Sequence, residues 1–165
     1  MGNLANIENN FKSHGIVNFT PAEITATGAK LEDVKILTFS ALQEVRTKIK
    51  RRIHLLRNGI TTGSHVSPEH PEGKAVDFHL DLRDGDFTSR DLITAVVSAI
   101  RAGFNGIGVY WNGQAYSFHF DLRPVDRFAL WIGYKNKVGA PWRYVTLVGN
   151  TANVFDPKTK MKEEK

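Results

Sequence analysis

The chain has 165 residues, 41% of them hydrophobic and 24% charged, which is the size and balance of one globular domain burying roughly two-thirds of its unfolded surface without staples. Cysteine is absent, which excludes disulfide frameworks, iron–sulfur clusters, Cys-ligated zinc and thiol nucleophiles. A formal net charge of +5 favours polyanions, whether nucleic acid, anionic lipid or anionic cell-wall polymers, while the absence of a long apolar run or a signal-peptide pattern predicts no membrane span and no secretory leader.

In chain order, Thr20-Pro21-Ala22-Glu23 forms a capping box with proline in the first helical position, predicting a short helix that stops before Gly28. Ser40 is the expected N-cap of a second helix, with Leu42, Val45 and Ile49 at helical spacing and the basic run Lys48, Lys50, Arg51 and Arg52 at its end. Ile53 to Leu56 reads as a short strand closed by the turn Asn58-Gly59. From Thr61 to Gly73 the sequence is rich in Thr, Gly, Ser, Pro and His without periodicity, the signature of a loop that carries a site.

Beyond that loop, Val76, Phe78, Leu80 and Leu82 alternate with Asp77, His79, Asp81 and Arg83. This is the period of a half-buried strand with its titratable side chains on one face. Thr88 to Asp91 predicts a cap for a helix with Leu92, Ile93, Val96, Val97 and Ile100 on one stripe and Gly103 as its stop. A glycine-rich turn through Gly103, Gly106 and Gly108 leads to Val109-Tyr110-Trp111, and Asn112-Gly113 marks a hairpin. Phe118, Phe120 and Leu122 then alternate with Ser117, His119, Asp121 and Arg123, and further strands are expected in 128–134 and 142–148. The expectation is one α+β domain over residues 1–155 with an antiparallel sheet and helices packed on one face, followed by a disordered Lys-rich tail at 156–165.

Imidazoles and carboxylates sharing a sheet face are costly to bury unless they are paired or hold a cation. His70, Asp77 and His119 would make a zinc site of three protein ligands with a fourth position left open. Their surroundings are specific in residue type as well as spacing. His70 to Asp77 has the form H-x-x-G-x-A-x-D and His119-Phe120-Asp121 the form H-x-D, preceded by Asn18-Phe19-Thr20-Pro21-Ala22-Glu23-Ile24 and Leu42-Gln43-Glu44-Val45-Arg46. Over residues 17–125 the chain resembles zinc peptidases of the D-alanyl-D-alanine carboxypeptidase and Hedgehog type, in particular their small phage and bacterial peptidoglycan-cleaving branch.

The resemblance implies a Hedgehog/DD-peptidase-like fold, a Zn2+ cofactor held by His70, Asp77 and His119, and hydrolysis of an amide bond in the stem peptide or crossbridge of peptidoglycan. Gly73 and Ala75 would let the chain turn from the first ligand into the strand. Where parts of the family place an acid or a second histidine before the last ligand, this chain has Tyr116 and Ser117, leaving Asp121 as the candidate general base or as the salt-bridge partner of Arg123. An arginine that the family commonly carries before the first ligand is replaced by Thr61-Thr62-Gly63-Ser64-His65, so His65, Arg57 or Arg52 would supply substrate-binding charge. The implied setting is a monomer made in the cytoplasm and released phage-fashion onto the wall, or virion-associated, with no nucleic-acid partner. A wall-binding module that keeps the fold without catalysis is the alternative, and a nucleic-acid-binding protein, suggested by the basic run, is a third reading.

Overall fold

A computed structural model describes residues 4–63, 67–81 and 87–149; His65, Arg83 and the segment 156–165 lie outside them. Four helices, α1 (Leu4–Ser13), α2 (Pro21–Ala26), α3 (Ile36–Ile49) and α4 (Ser89–Arg101), accompany six strands, β1 (Ile53–Leu55), β2 (Ala75–Leu80), β3 (Gly106–Trp111), β4 (Tyr116–Asp121), β5 (Ala129–Tyr134) and β6 (Arg143–Val148). The strands form one sheet in the order β1-β2-β4-β3-β5-β6.

The class is α+β as expected, but the sheet is mixed. β3 and β5 run parallel, with Gly108 opposite Trp131, whereas every other neighbouring pair is antiparallel. After the β3–β4 hairpin, the chain passes through a 3-10 turn at Val125–Arg127 and enters on the far side of β3.

Both capping boxes form: Thr20 accepts from the Glu23 amide and Thr88 from the Asp91 amide, while each acid reaches back to its cap. Ser40 is not an N-cap. α3 begins at Ile36, one residue after an uncapped Lys35, because tertiary contacts dock its first turn. The Lys35 amide and the Thr38 hydroxyl both donate to the Gly73 carbonyl. The basic run at its end is partly neutralised, with Arg51 paired to Asp91 at 3.1 Å and Arg52 to Glu23 at 3.8 Å.

Alternation divides the two faces of the sheet. Val76, Phe78, Leu80, Ile107, Val109, Phe118 and Phe120 enter one core with Phe39, Leu42 and Val45 of α3 and Ala95 and Ala99 of α4, each large side chain contributing about 1.5–3 kcal/mol on burial. The stripe expected on α4 splits: Leu92 and Val96 pack partly against this core, but Ile93, Val97 and Ile100 are exposed. The small side chains Ala95, Ser98 and Ala99 take the buried positions, which lets α4 lie close to its neighbours. The opposite face of the sheet carries Asp77, His119 and Asp121 in register, Asp77 facing His119 and Ala75 facing Asp121. No helix of the described residues is long and apolar enough to cross a membrane.

Candidate metal centre

Two turns of backbone set Asp77 and His70. Asn58 takes a left-handed conformation at φ 59° and donates its amide to the Thr27 carbonyl. Gly59 then lies against Asp77, whose amide donates to the Gly59 carbonyl at 2.7 Å, while the Leu56 amide donates to the Asp77 carbonyl at 3.0 Å. A Cβ on Gly59 would stand 2.9 Å from the Asp77 Cβ, so glycine is required for this approach. The next carbonyl, Ile60, accepts from His70 Nδ1 at 2.7 Å. One turn thus holds the Asp77 backbone and the His70 ring together.

His119 enters from β4, directly across from Asp77. Its Nδ1 lies 2.8 Å from Asp77 Oδ1 and 3.1 Å from His70 Nε2, and His70 Nε2 lies 3.5 Å from the same Asp77 oxygen. These three atoms form a small triangle. Metal–ligand bonds of about 2.0–2.1 Å at tetrahedral angles place ligand atoms about 3.3 Å apart, which the triangle matches. Its members form a group able to hold a metal ion.

The remaining ring nitrogens explain why. A carbonyl oxygen only accepts, so His70 Nδ1 carries the hydrogen and Nε2 is bare in the neutral ring. His119 Nε2 donates to Asp121 Oδ2 at 2.8 Å, leaving Nδ1 bare likewise. Two lone pairs and a carboxylate oxygen therefore aim at one place, an arrangement that repels itself unless a cation or a proton occupies it. Without metal, a proton does so. Burial pushes the His119 imidazole down, but hydrogen bonds to Asp121 and Asp77 outweigh it and raise it to about 9. For Asp77, burial works against ionisation, and hydrogen bonds from His119 and His70 overcome it to hold the carboxyl well below the usual range. His70 and His119 are almost fully enclosed, whereas the Asp77 side chain stays 26% exposed, so solvent reaches the group from the Asp77 side.

Asp121 stands elsewhere than a general base requires. It is fully buried. Oδ1 accepts from the Arg123 amide at 3.0 Å and from Arg123 Nε at 2.8 Å, while Oδ2 takes Arg123 Nη2 and His119 Nε2. The carboxylate therefore lies behind the His119 ring, on the side away from the bare Nδ1, and both of its oxygens are engaged. Burial opposes its ionisation, but Arg123 and His119 hold it ionised far below the usual carboxylate range. Of the two alternatives, base or salt-bridge partner of Arg123, the contacts are those of the second. Glu69 is also buried and paired, to Ser67 and to Arg127 at 3.1 Å. Arg57 is exposed on the turn that holds His70, Arg52 pairs with Glu23, and His65 lies outside the described residues.

Several residues that position the site lack a sequence motif of their own. Gly106, read as part of a turn, is in β3 opposite Asp121, and a Cβ there would collide with the Asp121 carboxylate and Arg123. Gly108, opposite His119, leaves room for the Trp131 indole, whose ring is 5.4 Å from that of His119 and 5.4 Å from the Arg123 guanidinium. The available signal was the period-two spacing of Gly106 and Gly108, which puts both on one strand face. Gly73 has a different reason from the one expected: at φ 69° its Cα approaches the Asp33 backbone so closely that a side chain has no space.

Compared with protein-family models, curated proteins and solved structures, the chain matches none.

Proposed function

We propose that the chain is a zinc-dependent peptidoglycan peptidase that hydrolyses an amide bond in the stem peptide or crossbridge of the bacterial wall. The observation that carries this reading is the convergence of His70 Nε2, His119 Nδ1 and Asp77 Oδ1 within 3.5 Å of one another, with the outer nitrogen of each ring already committed. Two imidazoles and one carboxylate are a catalytic zinc donor set, and the H-x-x-G-x-A-x-D and H-x-D motifs that supply them resemble those of the peptidase family. When bound, zinc supplies Lewis acidity, making water reactive near neutral pH and polarising a carbonyl.

The chain's own residues do the rest of the positioning. The Ile60 carbonyl fixes His70, and Asp121, held by Arg123, fixes the orientation of His119 and adds to its basicity. Asp121 is in this reading a positioning residue. The exposed edge of Asp77 marks where a peptide enters, and the formal charge of +5 favours approach to an anionic wall.

A second reading has one observation in its favour. Asp121 and Glu69, the carboxylates nearest the histidine ligands in sequence, are buried and paired, which fits a wall-binding module that keeps the fold without turnover. Incubating zinc-loaded protein with purified peptidoglycan and identifying the released fragments by mass spectrometry separates them. Fragments with a newly exposed amine and carboxylate, lost in His119→Ala, are expected; wall binding without fragments would establish the second reading.

A further inference from the structure

The phenol of Tyr110 takes no part in the ligand set, yet the sheet carries it to that set. Asp77, His119, Gly108 and Trp131 form one row across β2, β4, β3 and β5. Tyr110 belongs to the next row, opposite Ser117 and Gly133. Two glycines let it reach back. At Gly133 a Cβ would stand 2.6 Å from the Tyr110 ring, so the ring lies over the place a side chain would fill. At Gly108 a Cβ would stand 2.6–2.8 Å from Trp131 Cε2, Cζ2 and Nε1, so the indole nitrogen lies over the residue directly facing His119. Trp131 Nε1 donates to the Tyr110 hydroxyl at 2.9 Å, which brings that oxygen to the row of His119 and Asp77.

The hydrogen-bond polarity is then fixed. An indole N–H can only donate, so the Tyr110 oxygen is its acceptor and its own O–H is left to donate. Among the described residues that proton has no acceptor. Tyr110 is partly exposed, so a ligand can meet it. Burial, together with the charges of Asp77 and Asp121, pushes the phenol above its ordinary value, keeping the proton in place.

We infer that the Tyr110 hydroxyl is a catalytic residue that donates a hydrogen bond to the carbonyl oxygen of the scissile amide as negative charge builds on it. This rests on the peptidase reading. As the oxygen of water adds to the carbonyl carbon, the π pair moves onto the carbonyl oxygen, where Tyr110 meets it. When that pair returns, the C–N bond breaks, and the proton given up by water ends on the departing amine. A donor in place before the charge appears costs no reorganisation, and losing one such donor typically costs about 10²–10³-fold in kcat.

The test compares wild-type and Tyr110→Phe full-length chains, both zinc-loaded, on a peptidoglycan stem peptide and on a phosphinate dipeptide whose tetrahedral phosphorus mimics the addition product. Zinc content and cooperative melting should be retained. The kcat should fall by about 10²–10³-fold with KM little changed, and the phosphinate should bind more weakly by a similar factor. Trp131→Phe, which leaves the hydroxyl but removes its anchor, should show the same split at smaller size. Equal phosphinate affinity in wild type and Tyr110→Phe would overturn the assignment, and loss of zinc or of the cooperative melt in Tyr110→Phe would replace it with a structural role. Wild-type protein that binds the phosphinate through Tyr110 but cleaves no wall peptide would instead overturn the peptidase reading and the catalytic role with it, leaving Tyr110 as a hydrogen-bond donor to a bound ligand.

Discussion

Two histidine–aspartate clusters share one face of the sheet. The first is His70, Asp77 and His119; the second is His54 and His79, facing each other across β1 and β2, with Asp81. β2 contributes to both, and the residue types are the same. The difference lies in where the nitrogens point. In the second cluster the two rings stack, their centroids 5.1 Å apart and their planes 20° apart, so neither ring presents an edge nitrogen to the other, and His54 Nε2 pairs with Asp81 at 2.9 Å. In the first, the rings are tilted by 59°, and the Ile60 carbonyl and Asp121 each occupy one nitrogen. Among the described residues only this group brings three ligand atoms within 4.8 Å. Residue type supplies candidates for a metal site; hydrogen bonds to the outer nitrogens are what leave the inner ones free to face a metal.

The largest expected effect breaks the comparison directly. His70→Ala and His119→Ala should lower zinc from about one per chain to background, whereas His54→Ala and His79→Ala should leave it unchanged, as read by mass spectrometry of the dialysed protein. Zinc retained in the first pair, or lost in the second, would erase the distinction between the clusters.

Next comes the carboxylate behind each cluster. Asp121→Asn leaves the buried Arg123 without its counter-charge, for which about 3–5 kcal/mol of stability should be lost, and zinc affinity should weaken about 10–100-fold. The corresponding Asp81 pairs with a His54 side chain that is 30% exposed, so Asp81→Asn should cost less than Asp121→Asn. Denaturant unfolding and zinc titration measure both. Near-wild-type zinc affinity in Asp121→Asn with turnover abolished would return Asp121 to the part of general base.

The proton on His119 gives a third effect. In metal-free protein its folded value near 9 exceeds the ordinary 6.5, so the stabilisation is complete below 6.5 and disappears as pH rises through 9. Zinc at the proposed site would replace that proton and would bind better as pH rises. The gap in melting temperature between zinc-loaded and chelator-treated protein should therefore widen between about pH 6.5 and 9, and a constant gap would separate His119 from the metal. The smallest effect belongs to the second cluster. Partial burial and the neighbouring His54 push His79 down, against the pull of Asp81, so the unfolded chain takes up that proton first and stability declines in acid. His79→Gln should flatten this decline slightly between pH 7 and 5 in thermal melts; a steeper decline would reverse the sign.

How much of this was legible in the sequence varied with the range of the interaction that decides it. Period-two alternation put Asp77 and His119 on polar strand faces, and the capping boxes at Thr20 and Thr88 placed two helix starts, because those signals are local. α1 carries no such local signal: Asn6, Asn9 and Asn10 are poor helix formers, and the helix is held by Phe11 stacking 6.1 Å from Phe39. The parallel pairing of β3 with β5 left no local mark either. Gly106 and Gly108 read as turn residues because glycine weakens strands; they stand in β3 because Arg123, Asp121 and Trp131 fill the space their side chains would take. The same long-range fact hid Tyr110, whose position depends on two glycines and an indole from three points in the chain.

The three members of the candidate site also have an order of arrival. His70 and Asp77 are neighbours along the chain, but His119 is 49 residues from the first and 42 from the second. The β3–β4 hairpin can close early around Asn112-Gly113, whereas the β2–β4 pairing must first close a long loop, the slower kind of event in folding. His119 therefore joins only when the middle of the sheet has zipped. A metal ion cannot nucleate this fold, and its capture by a refolding chain would act as a clock for the final closure of the sheet.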